Sequence, residues 1–546
     1  MQSRNSRSQW FSRWFSQPLD RLAIAVIAIL TLLTIVLLWV GDRTAPVVRD
    51  FSWQDKRVSA DDTAFTMTFN RPMNQESVVA NLKFDPPLAG KTSWAGRKLA
   101  YTLIAPAIYG KSYTVKLENA FDLFANETGK KIPIQPFSSK FSTPEPQLMY
   151  IGAEGEEAGR LILYDFIQKS KRILTPTDLV VSDFRIYANR NKVLFSATQR
   201  AEPSPRSVNP STNPPTTFVN PLDQKLYTME LTSDRSNQQG NSVQLVLDSD
   251  EYQNFKFDLS ADGKSIVVQR LSRVVAGRYG LWVIKAGEKA KPLDNQPGGD
   301  FMITPDSTSV AIAQGEGIAI LPLEPQAPPL DFLPRFGTVL NFSRSGTQAA
   351  MIQYNKDYTR SLYVVNNQGI QKELAKASGS ILSAQFDPQE KTLYCLMTDV
   401  DQTQGKYEET PYLAAIDLKT AKMNRLLNLP GQRNLQISIS PDGSLLTFDP
   451  VDLPEASTGE TSTIKNEKRN ARKDDLKIDS DPRNRTNNRE QRSDLRTDNL
   501  GTTTAAIQDS TRQSLPQLKL LKLNAASGFS QPEPLLLSGS HPRWLP

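Results

Sequence analysis

The chain has 546 residues, of which 38% are hydrophobic and 22% are charged, and this length is sufficient for two or three domains. The net charge of +6 comes from arginines near the N-terminus and a basic stretch around residues 465–496. Nucleic-acid binding would require a basic face on a recognisable module, and the sequence contains neither, so nucleic-acid binding is not predicted. A single cysteine, Cys395, and a single histidine, His541, exclude an intrachain disulfide and a zinc site built from cysteines and histidines.

An uncharged apolar segment, residues 22–40 (LAIAVIAILTLLTIVLLWV), follows a tail at residues 1–21. A helix rises about 1.5 Å per residue, so this segment spans roughly 28 Å, close to the roughly 30 Å hydrocarbon core of a bilayer. A cleaved signal peptide is the alternative, but its apolar region is shorter, and Gly41-Asp42-Arg43 is a poor cleavage site. The sequence therefore predicts a transmembrane helix that remains as a signal-anchor.

The charges on either side of this helix predict its orientation. The tail before it carries four arginines and one acidic residue, Asp20, whereas the flank after it mixes both signs. The positive-inside rule keeps the more basic flank in the cytoplasm. We expect a single-pass protein of the bacterial cytoplasmic membrane, with a cytoplasmic N-terminus and the bulk of the chain in the periplasm or otherwise outside the cytoplasm.

Residues 45–143 contain short segments in which apolar and polar side chains alternate, separated by Gly, Pro, Asn and Asp. Closely spaced segments of this kind, without helical periodicity, predict the strands of a β-sandwich. The predicted strands are AFTMTFN (64–70), ANLKFDP (80–86), KLAYTLI (98–104), SYTVKLE (112–118) and SKFSTP (139–144).

The same region contains TAPVV (44–48), TFNRPMNQESV (68–78), GKSYTVKLENAFDLFAN (110–126) and FST (141–143). In these residues it resembles the S-layer-type bacterial Ig-like domain. The family's Asp-x-x-Gly-Asn turn reads Asp122-Leu-Phe-Ala125-Asn126 here, with alanine in the glycine position. The resemblance implies a spacer or adhesion module without catalytic residues.

Beyond a stiff, proline-containing joint at residues 142–146, six segments repeat one pattern. Each has an apolar strand, a tight turn that often reads Ser/Thr-Pro-Asp-Gly, and a second apolar strand. The repeats lie at 187–195, 259–268, 303–312, 342–351, 386–395 and 439–448. Where no insertion intervenes the spacing is roughly forty residues, which is the period of a four-stranded propeller blade.

The ends of this region complement each other. Residues 147–175 contain three predicted strands (QLMYIG, RLILYDF and KRILT) with no first strand, whereas HPRWLP (541–546) is a first strand without successors. Together they complete one blade. The sequence therefore predicts a seven-bladed β-propeller over about 145–546 that is closed by the C-terminal strand.

The turn Ser440-Pro-Asp-Gly443 and its equivalents resemble those of TolB-like and, more loosely, WD40-like propellers. This resemblance implies a fold and leaves the function open. The overall fold class is expected to be mainly β: a transmembrane helix, an Ig-like sandwich and a propeller.

Two polar insertions, residues 200–222 and 452–514, are predicted to be disordered because they contain too few apolar side chains to form a core. Both follow the second strand of a blade, as do shorter excursions at 270–279 and 399–410, so all four are expected on one face. Within the last excursion, residues 399–405 lack the spacing of a calcium loop and are interpreted as a polar hairpin tip.

Polar side chains recur at two positions of the predicted first strands. The repeats are aligned on the large apolar residue before each turn, taken as Tyr187 in the first repeat, where the two positions read Ile186 and Phe184. Because side chains alternate along a strand, one set can face the channel; the alternative is that these residues only solvate it. The candidate ligand-binding residues of the channel are Lys256, Asp258, Asp300, Asn341, Gln385, Gln436, His541 and Arg543.

No catalytic residue, metal site or cofactor is predicted, because the carboxylates are scattered and Cys395 lies in the apolar segment TLYCLM. The leading interpretation is a non-enzymatic envelope protein whose propeller binds a protein or polysaccharide outside the membrane. An enzyme or small-molecule sensor that uses the channel, and a purely structural spacer, are the alternatives.

Overall fold

The computed structural model describes residues 18–40, 44–123, 132–200, 223–231, 242–293, 299–325, 327–401, 408–429, 435–449, 517–523 and 531–546. Over these ranges the protein is mainly β, as expected, with 34 strands and two α-helices. Three predictions fall outside them: the disordered insertions apart from Arg200, the turn at Ala125-Asn126, and the hairpin tip at 402–405.

Helix α1 (Pro18–Val40) covers the apolar segment and begins four residues before it. Its side chains are described for residues 22–36, where the hydroxyls of Thr31 and Thr34 donate to the carbonyls of Ile27 and Leu30, both at 2.7 Å. Within the described side chains, no helix has both the length and the apolar character that crossing a bilayer requires.

The region after α1 forms two antiparallel sheets. One has the strand order β1-β2-β5-β4 and the other β3-β6-β7. The strands are β1 (Val48–Phe51), β2 (Ala64–Phe69), β3 (Leu82–Asp85), β4 (Gly90–Ala95), β5 (Lys98–Leu103), β6 (Ser112–Leu117) and β7 (Phe137–Ser142). Alternate side chains of both sheets, such as Phe65 and Met67 in β2 and Val115 in β6, are buried in one shared core. We call this region the sandwich.

The sandwich contains a short helix that the sequence pattern did not predict. Helix α2 (Gln75–Asn81) lies between β2 and β3, and the side chain of Asn74 accepts a hydrogen bond from the backbone N–H of Ser77 at its start. Such a cap satisfies one of the N–H groups that a helix leaves unpaired. Strands β1 and β4 were not expected either.

Among the described residues, the remaining strands form five antiparallel four-stranded sheets and one seven-stranded sheet. We number the four-stranded sheets 2 to 6 in chain order, and we number the two halves of the seven-stranded sheet, which meet at its long central strand, 1 and 7. Sheets 2 to 6 are continuous in sequence. Sheet 2 comprises β11 (Leu179–Ile186), β12 (Lys192–Gln199), β13 (Lys225–Glu230) and β14 (Val243–Leu247). Sheet 3 comprises β15 (Tyr252–Leu259), β16 (Ser265–Ser272), β17 (Tyr279–Lys285) and β18 (Lys291–Pro292), and sheet 4 comprises β19 (Phe301–Ile303), β20 (Ser309–Gln314), β21 (Gly317–Pro322) and β22 (Asp331–Pro334). Sheet 5 comprises β23 (Thr338–Phe342), β24 (Gln348–Tyr354), β25 (Arg360–Asn366) and β26 (Gln371–Ala377), and sheet 6 comprises β27 (Ile381–Phe386), β28 (Thr392–Asp401), β29 (Glu408–Asp417) and β30 (Met423–Asn428).

Sheets 1 and 7 share one long strand, β34 (Glu533–Trp544). Its first half pairs with β33 to complete sheet 7, and its second half pairs with β8, with Gly539 opposite Gly152 and Trp544 opposite Leu148. Sheet 1 therefore joins that second half to β8 (Gln147–Gly152), β9 (Leu161–Asp165) and β10 (Ser170–Ile173), and sheet 7 joins the first half to β31 (Ile437–Ile439), β32 (Leu445–Phe448) and β33 (Gln517–Lys522). The predicted pairing of the C-terminal segment with the three strands after residue 146 is present.

Hydrophobic clusters join each sheet to the next. One of them joins sheets 7 and 1, through Leu518 and Leu537 on one side and Leu148 and Tyr150 on the other. The other six join sheets 1–2, 2–3, 3–4, 4–5, 5–6 and 6–7. Cys395 is buried in the cluster between sheets 5 and 6, as predicted.

The sheets have two distinct ends. The turns from first to second strands, such as 260–265 and 440–445, lie at one end, which we call the turn face. The connections from second to third strands, such as 272–279 and 354–360, lie at the other end, the hairpin face. The expected excursion at 399–410 is partly wrong, because β28 and β29 stay paired out to Asp401 and Glu408.

Candidate functional site

The first strands carry the polar side chains singled out from the sequence, and most of these strands are irregular beside them. The pairing register shifts in β11, β15, β23, β27 and β34. In β34 the shift lies between Ser540 and Arg543. A bulge interrupts the strict alternation of side chains along a strand. The directions of these polar side chains therefore do not follow from their spacing in the sequence alone.

The sequence alignment of the first repeat is wrong by one residue. The backbone N–H of Tyr187 donates to the carbonyl of Lys192 at 3.0 Å, in the same way as that of Ser260 donates to Ser265 at 2.9 Å. Tyr187 is thus the first residue of its turn, equivalent to Ser260, and not the last residue of the strand before the turn. The positions equivalent to Asp258 and Lys256 are therefore Arg185 and Asp183, in place of Ile186 and Phe184.

Arg185 lies at the centre of a charged cluster. Its Nη1 is 2.9 Å from Asp183 Oδ2, and its Nε is 3.2 Å from Asp258 Oδ1 on the next first strand. Asp258 Oδ2 in turn accepts the backbone N–H of Ile303, at 3.0 Å. Arg543 Nη2 approaches Asp183 Oδ1 from the other side, at 3.6 Å. The cluster therefore links sheets 1, 2, 3 and 4.

The protonation states in this cluster follow from burial and from the neighbouring charges. Burial alone would raise the pKa of Asp183, but the guanidinium groups of Arg185 and Arg543 outweigh it and hold that pKa below its usual value. Burial, together with the nearby charge of Arg185, lowers the pKa of Arg543 to about 10. Burial also lowers the pKa of His541. At neutral pH the two arginines are cations, Asp183 is an anion and the imidazole of His541 is uncharged.

Lys256, two residues before Asp258 in β15, and Asp300, directly before β19, form a second pair. The two side chains are in direct contact, and Lys256 Nζ lies 5.2 Å from the centroid of the Phe301 ring. Both are partly exposed, so this pair contributes little to stability.

Asn341 and Gln385 bond to the backbone of the neighbouring first strand. Asn341 Oδ1 accepts the N–H of Phe386, at 3.3 Å. The Gln385 amide donates to the carbonyl of Ile437 at 2.7 Å and accepts from the N–H of Ile439 at 3.2 Å. These contacts connect sheet 5 to sheet 6 and sheet 6 to sheet 7.

Gln436 and His541 meet at a buried carboxylate that the sequence analysis missed. The backbone N–H of Gln436 donates to Asp449 Oδ1 at 2.6 Å, and that of His541 donates to Asp449 Oδ2 at 2.9 Å. His541 has a φ of 56°, and it lies in the register shift of β34 between Ser540 and Arg543. Burial raises the pKa of Asp449 to about 6, although the two N–H groups oppose this.

The eight candidates thus lie on the first strands or, for Asp300 and Gln436, directly before them, and many of their polar atoms bond to the adjacent sheet. The polar residues of this arrangement that the sequence reasoning missed are Asp183, Arg185 and Asp449. The corrected register of the first repeat would have identified the first two. In the described part of the chain, no group of three or more His, Cys, Asp or Glu side chains could hold a metal ion.

Comparisons with known proteins give distant structural neighbours. No family model and no curated protein matches the sequence. TolB from Acinetobacter baumannii has a TM-score of 0.37 and 10% identity over 91% of this chain and 88% of its own. A putative TolB from Agrobacterium tumefaciens has 0.33 and 11% over 52% and 89%. An oligogalacturonate lyase from Vibrio parahaemolyticus has 0.39 and 10% over 53% and 80%. At TM-scores below 0.5 these similarities support no conclusion about what this chain does.

Proposed function

We propose that this chain is a membrane-anchored envelope protein whose residues 147–546 form a closed seven-bladed propeller that binds a protein partner outside the cytoplasmic membrane. The binding surface is the hairpin face. The sandwich, which we propose to be Ig-like, connects the anchor to the propeller.

The cycle of hydrophobic clusters supports ring closure. Each sheet packs on the next, and the cluster of Leu518, Leu537, Leu148 and Tyr150 joins the last sheet to the first. Polar contacts follow the same cycle, from Arg543–Asp183 and Arg185–Asp258 to Gln385 and the bonds from Trp544 to Ser438. A closed ring leaves no first strand without a neighbour.

The exposed apolar side chains of the hairpin face are the observation that carries the binding proposal. Val274 and Val275 lie at the tip of the β16–β17 hairpin, where Val274 is 79% exposed, and Tyr358 in the β24–β25 hairpin is 90% exposed. Phe255 and Leu382 are exposed near the same ends of their strands. Apolar and aromatic side chains grouped on one face are typical of protein-binding surfaces.

The location rests on the N-terminal segment. Residues 22–40 are uncharged, a helix forms over Pro18–Val40, and the hydroxyls of Thr31 and Thr34 donate to carbonyls one turn earlier. In an apolar medium a hydroxyl requires such a partner. Carbonate extraction of the membrane fraction tests the anchor, which predicts that the chain stays in the pellet; release into the supernatant would contradict it.

Site-specific photo-crosslinking in intact cells tests the binding surface. A photoreactive residue at Tyr358 should capture one defined protein, and the double substitution Val274→Asp/Val275→Asp should abolish this capture. Ile370 is a matched control, because it is also exposed but lies in the third-to-fourth-strand turn on the turn face. Ile370→Asp should leave the crosslink unchanged. Equal loss in both variants would contradict the assignment of the hairpin face.

A small-molecule role for the channel is the second candidate. Arg543 Nε is buried and has no hydrogen-bond partner among the described residues, while the rest of the side chain is partly exposed. An anionic ligand would satisfy it. Stabilisation of the wild type, but not of Arg543→Met, by a small carboxylate or phosphate in thermal unfolding would favour this function.

A further inference from the structure

The turns of the turn face contact one another from sheet to sheet. Gly263 lies against the ring of Tyr187, so that a Cβ there would be 2.8 Å from it. The N–H of Asp262 donates to Ser307 Oγ at 3.1 Å. The same relation continues around the face, with Gly346 against Pro305, Ser345 bonded to Glu390, and Gly443 against Pro388.

Sheet 1 has no turn to contribute to this series. Its first strand is the end of β34 and its second strand is β8, so residue 546 and residue 147 stand where the other sheets have a covalent turn. The N–H of Leu545 donates to the carbonyl of Gln147 at 3.0 Å, which is the bond that precedes a turn in the other sheets. The series of turns is therefore open between sheets 7 and 2.

A loop of the sandwich lies in this opening. The backbone N–H of Tyr109 donates to Asp442 Oδ2 in the turn of sheet 7, at 2.9 Å. On the other side, Arg190 in the turn of sheet 2 lies 5.9 Å from the centroid of the Tyr109 ring and donates to the carbonyl of Glu145 at 3.2 Å. Tyr109 is buried. It thus contacts both turns that flank the opening.

The residue after Tyr109 fits closely against sheet 1 itself. Gly110 has a φ of 74°, and a Cβ there would lie 2.9 Å from Ile167 and 3.1 Å from Pro146. Its N–H donates to the carbonyl of Pro144 at 2.7 Å. A side chain at this position would separate the loop from the sheet, so glycine permits the contact.

A second contact holds the sandwich from a different direction. Arg344, in the turn of sheet 5, donates from Nε to Asp61 Oδ1 at 2.8 Å. The phenol of Tyr109 accepts the N–H of Ala60 at 3.1 Å, which connects this neighbouring loop to the Tyr109 loop.

We propose that the sandwich acts as the missing turn of sheet 1: its Tyr109 loop docks between the turns of sheets 7 and 2 and seals the seam where β34 meets β8. The two domains are thus coupled, and release of the loop weakens the seam. This inference does not depend on the membrane anchor or on a partner.

Hydrogen–deuterium exchange of the full chain in detergent tests the proposal. Asp442→Asn keeps the oxygen that accepts from Ser440 and Ser444 but replaces the oxygen that accepts from Tyr109. Exchange in the peptide 107–113 should become about tenfold faster, because a hydrogen bond to a charged acceptor is lost. Exchange in 147–152 and 539–545, the two sides of the seam, should rise with it.

Asp262→Asn is the matched control, because Asp262 makes the same bonds to Ser260 and Lys264 within its own turn but does not contact the sandwich. It should leave all three peptides unchanged. Arg344 lies outside the seam, so Arg344→Asp should accelerate exchange in the same three peptides only by releasing the sandwich. The double charge reversal Asp61→Arg/Arg344→Asp should restore protection. Faster exchange confined to 107–113, or no change in any variant, would overturn the proposal.

Discussion

At the scale of single residues, Arg185 is the cation on which two carboxylates depend. Asp183 and Asp258 both bond to it, and the only other guanidinium in contact with them among the described residues is the more distant one of Arg543. A half-buried anion without its partner loses both the attraction and the hydrogen bonds that offset its desolvation. The integrity of the first strands of sheets 2 and 3 should therefore depend on this side chain.

We expect Arg185→Met to lower the free energy of unfolding by about 2–3 kcal/mol, less than for a fully buried pair because the cluster is partly exposed to solvent. Urea denaturation followed by tryptophan fluorescence measures it. Lys264→Met is the control, because Lys264 pairs with Asp262 in an exposed turn. A similar loss in both variants would show that the cluster has no special role.

Asp449 should make stability depend on pH. Its pKa in the folded chain is about 6, compared with 3.8 for an ordinary aspartate, so the folded state holds the proton more tightly than the unfolded state. The stabilisation is therefore complete below about pH 4 and is lost as pH rises through 6, by at most about 3 kcal/mol. Unfolding free energies of the wild type and of Asp449→Asn, measured from pH 4 to pH 7, should diverge in slope. Parallel curves would exclude Asp449 as the source.

At the scale of elements, β34 joins two sheets, and its two halves differ in burial. Trp544 in the second half is 6% exposed and stacks on Phe166 at 5.0 Å, whereas Leu536 in the first half is 89% exposed. Removing the second half would leave the edge of β8 unpaired.

Deletion of residues 541–546 should lower the melting temperature of the whole region formed by sheets 1 to 7. Trp544→Ala, a milder change, should lower the free energy of unfolding by about 3–5 kcal/mol because it removes a large buried side chain. Leu536→Ala should change it by less than about 0.5 kcal/mol. An unchanged melting temperature after the deletion would contradict the pairing of β34 with β8.

The elements also indicate how far sequence reasoning reaches. The Ser-Pro-Asp-Gly turn and alternating apolar strands were sufficient to predict most first and second strands and the pairing in sheet 1, because both signals are local. Tyr187 misled the alignment because its turn lacks the Ser or Thr that leads most of the others. Helix α2 was missed because seven residues give too little periodicity. Asp449 was missed because its partners, Gln436 and His541, are brought together only by the fold.

At the scale of the whole molecule, the hydrophobic clusters described for the sheets consist of residues on either side of the segment 452–514. Phe448 and Lys519 are paired across β32 and β33, so the ends on either side of that segment are adjacent. From its charged, apolar-poor composition we expect this segment to add no core.

Replacing residues 455–512 by a short Gly-Ser linker should therefore leave the melting temperature and the proposed membrane location unchanged. Differential scanning calorimetry and membrane fractionation measure these outcomes, with the deletion of 541–546 as the contrasting variant. A large fall in melting temperature would contradict the prediction that the segment is disordered and would show that it contributes to the fold.

The shared strand has a consequence for how the chain is made. Strand β8 ends at Gly152 and its inner neighbour β34 begins at Glu533, so roughly 380 residues must be synthesised between them, about 20–75 s at typical rates of elongation. During that time the inner edge of β8 is an open template for pairing with other chains. Nascent chains should therefore aggregate through this edge when synthesis stalls before residue 533, and a chaperone that binds extended β-strands should protect them.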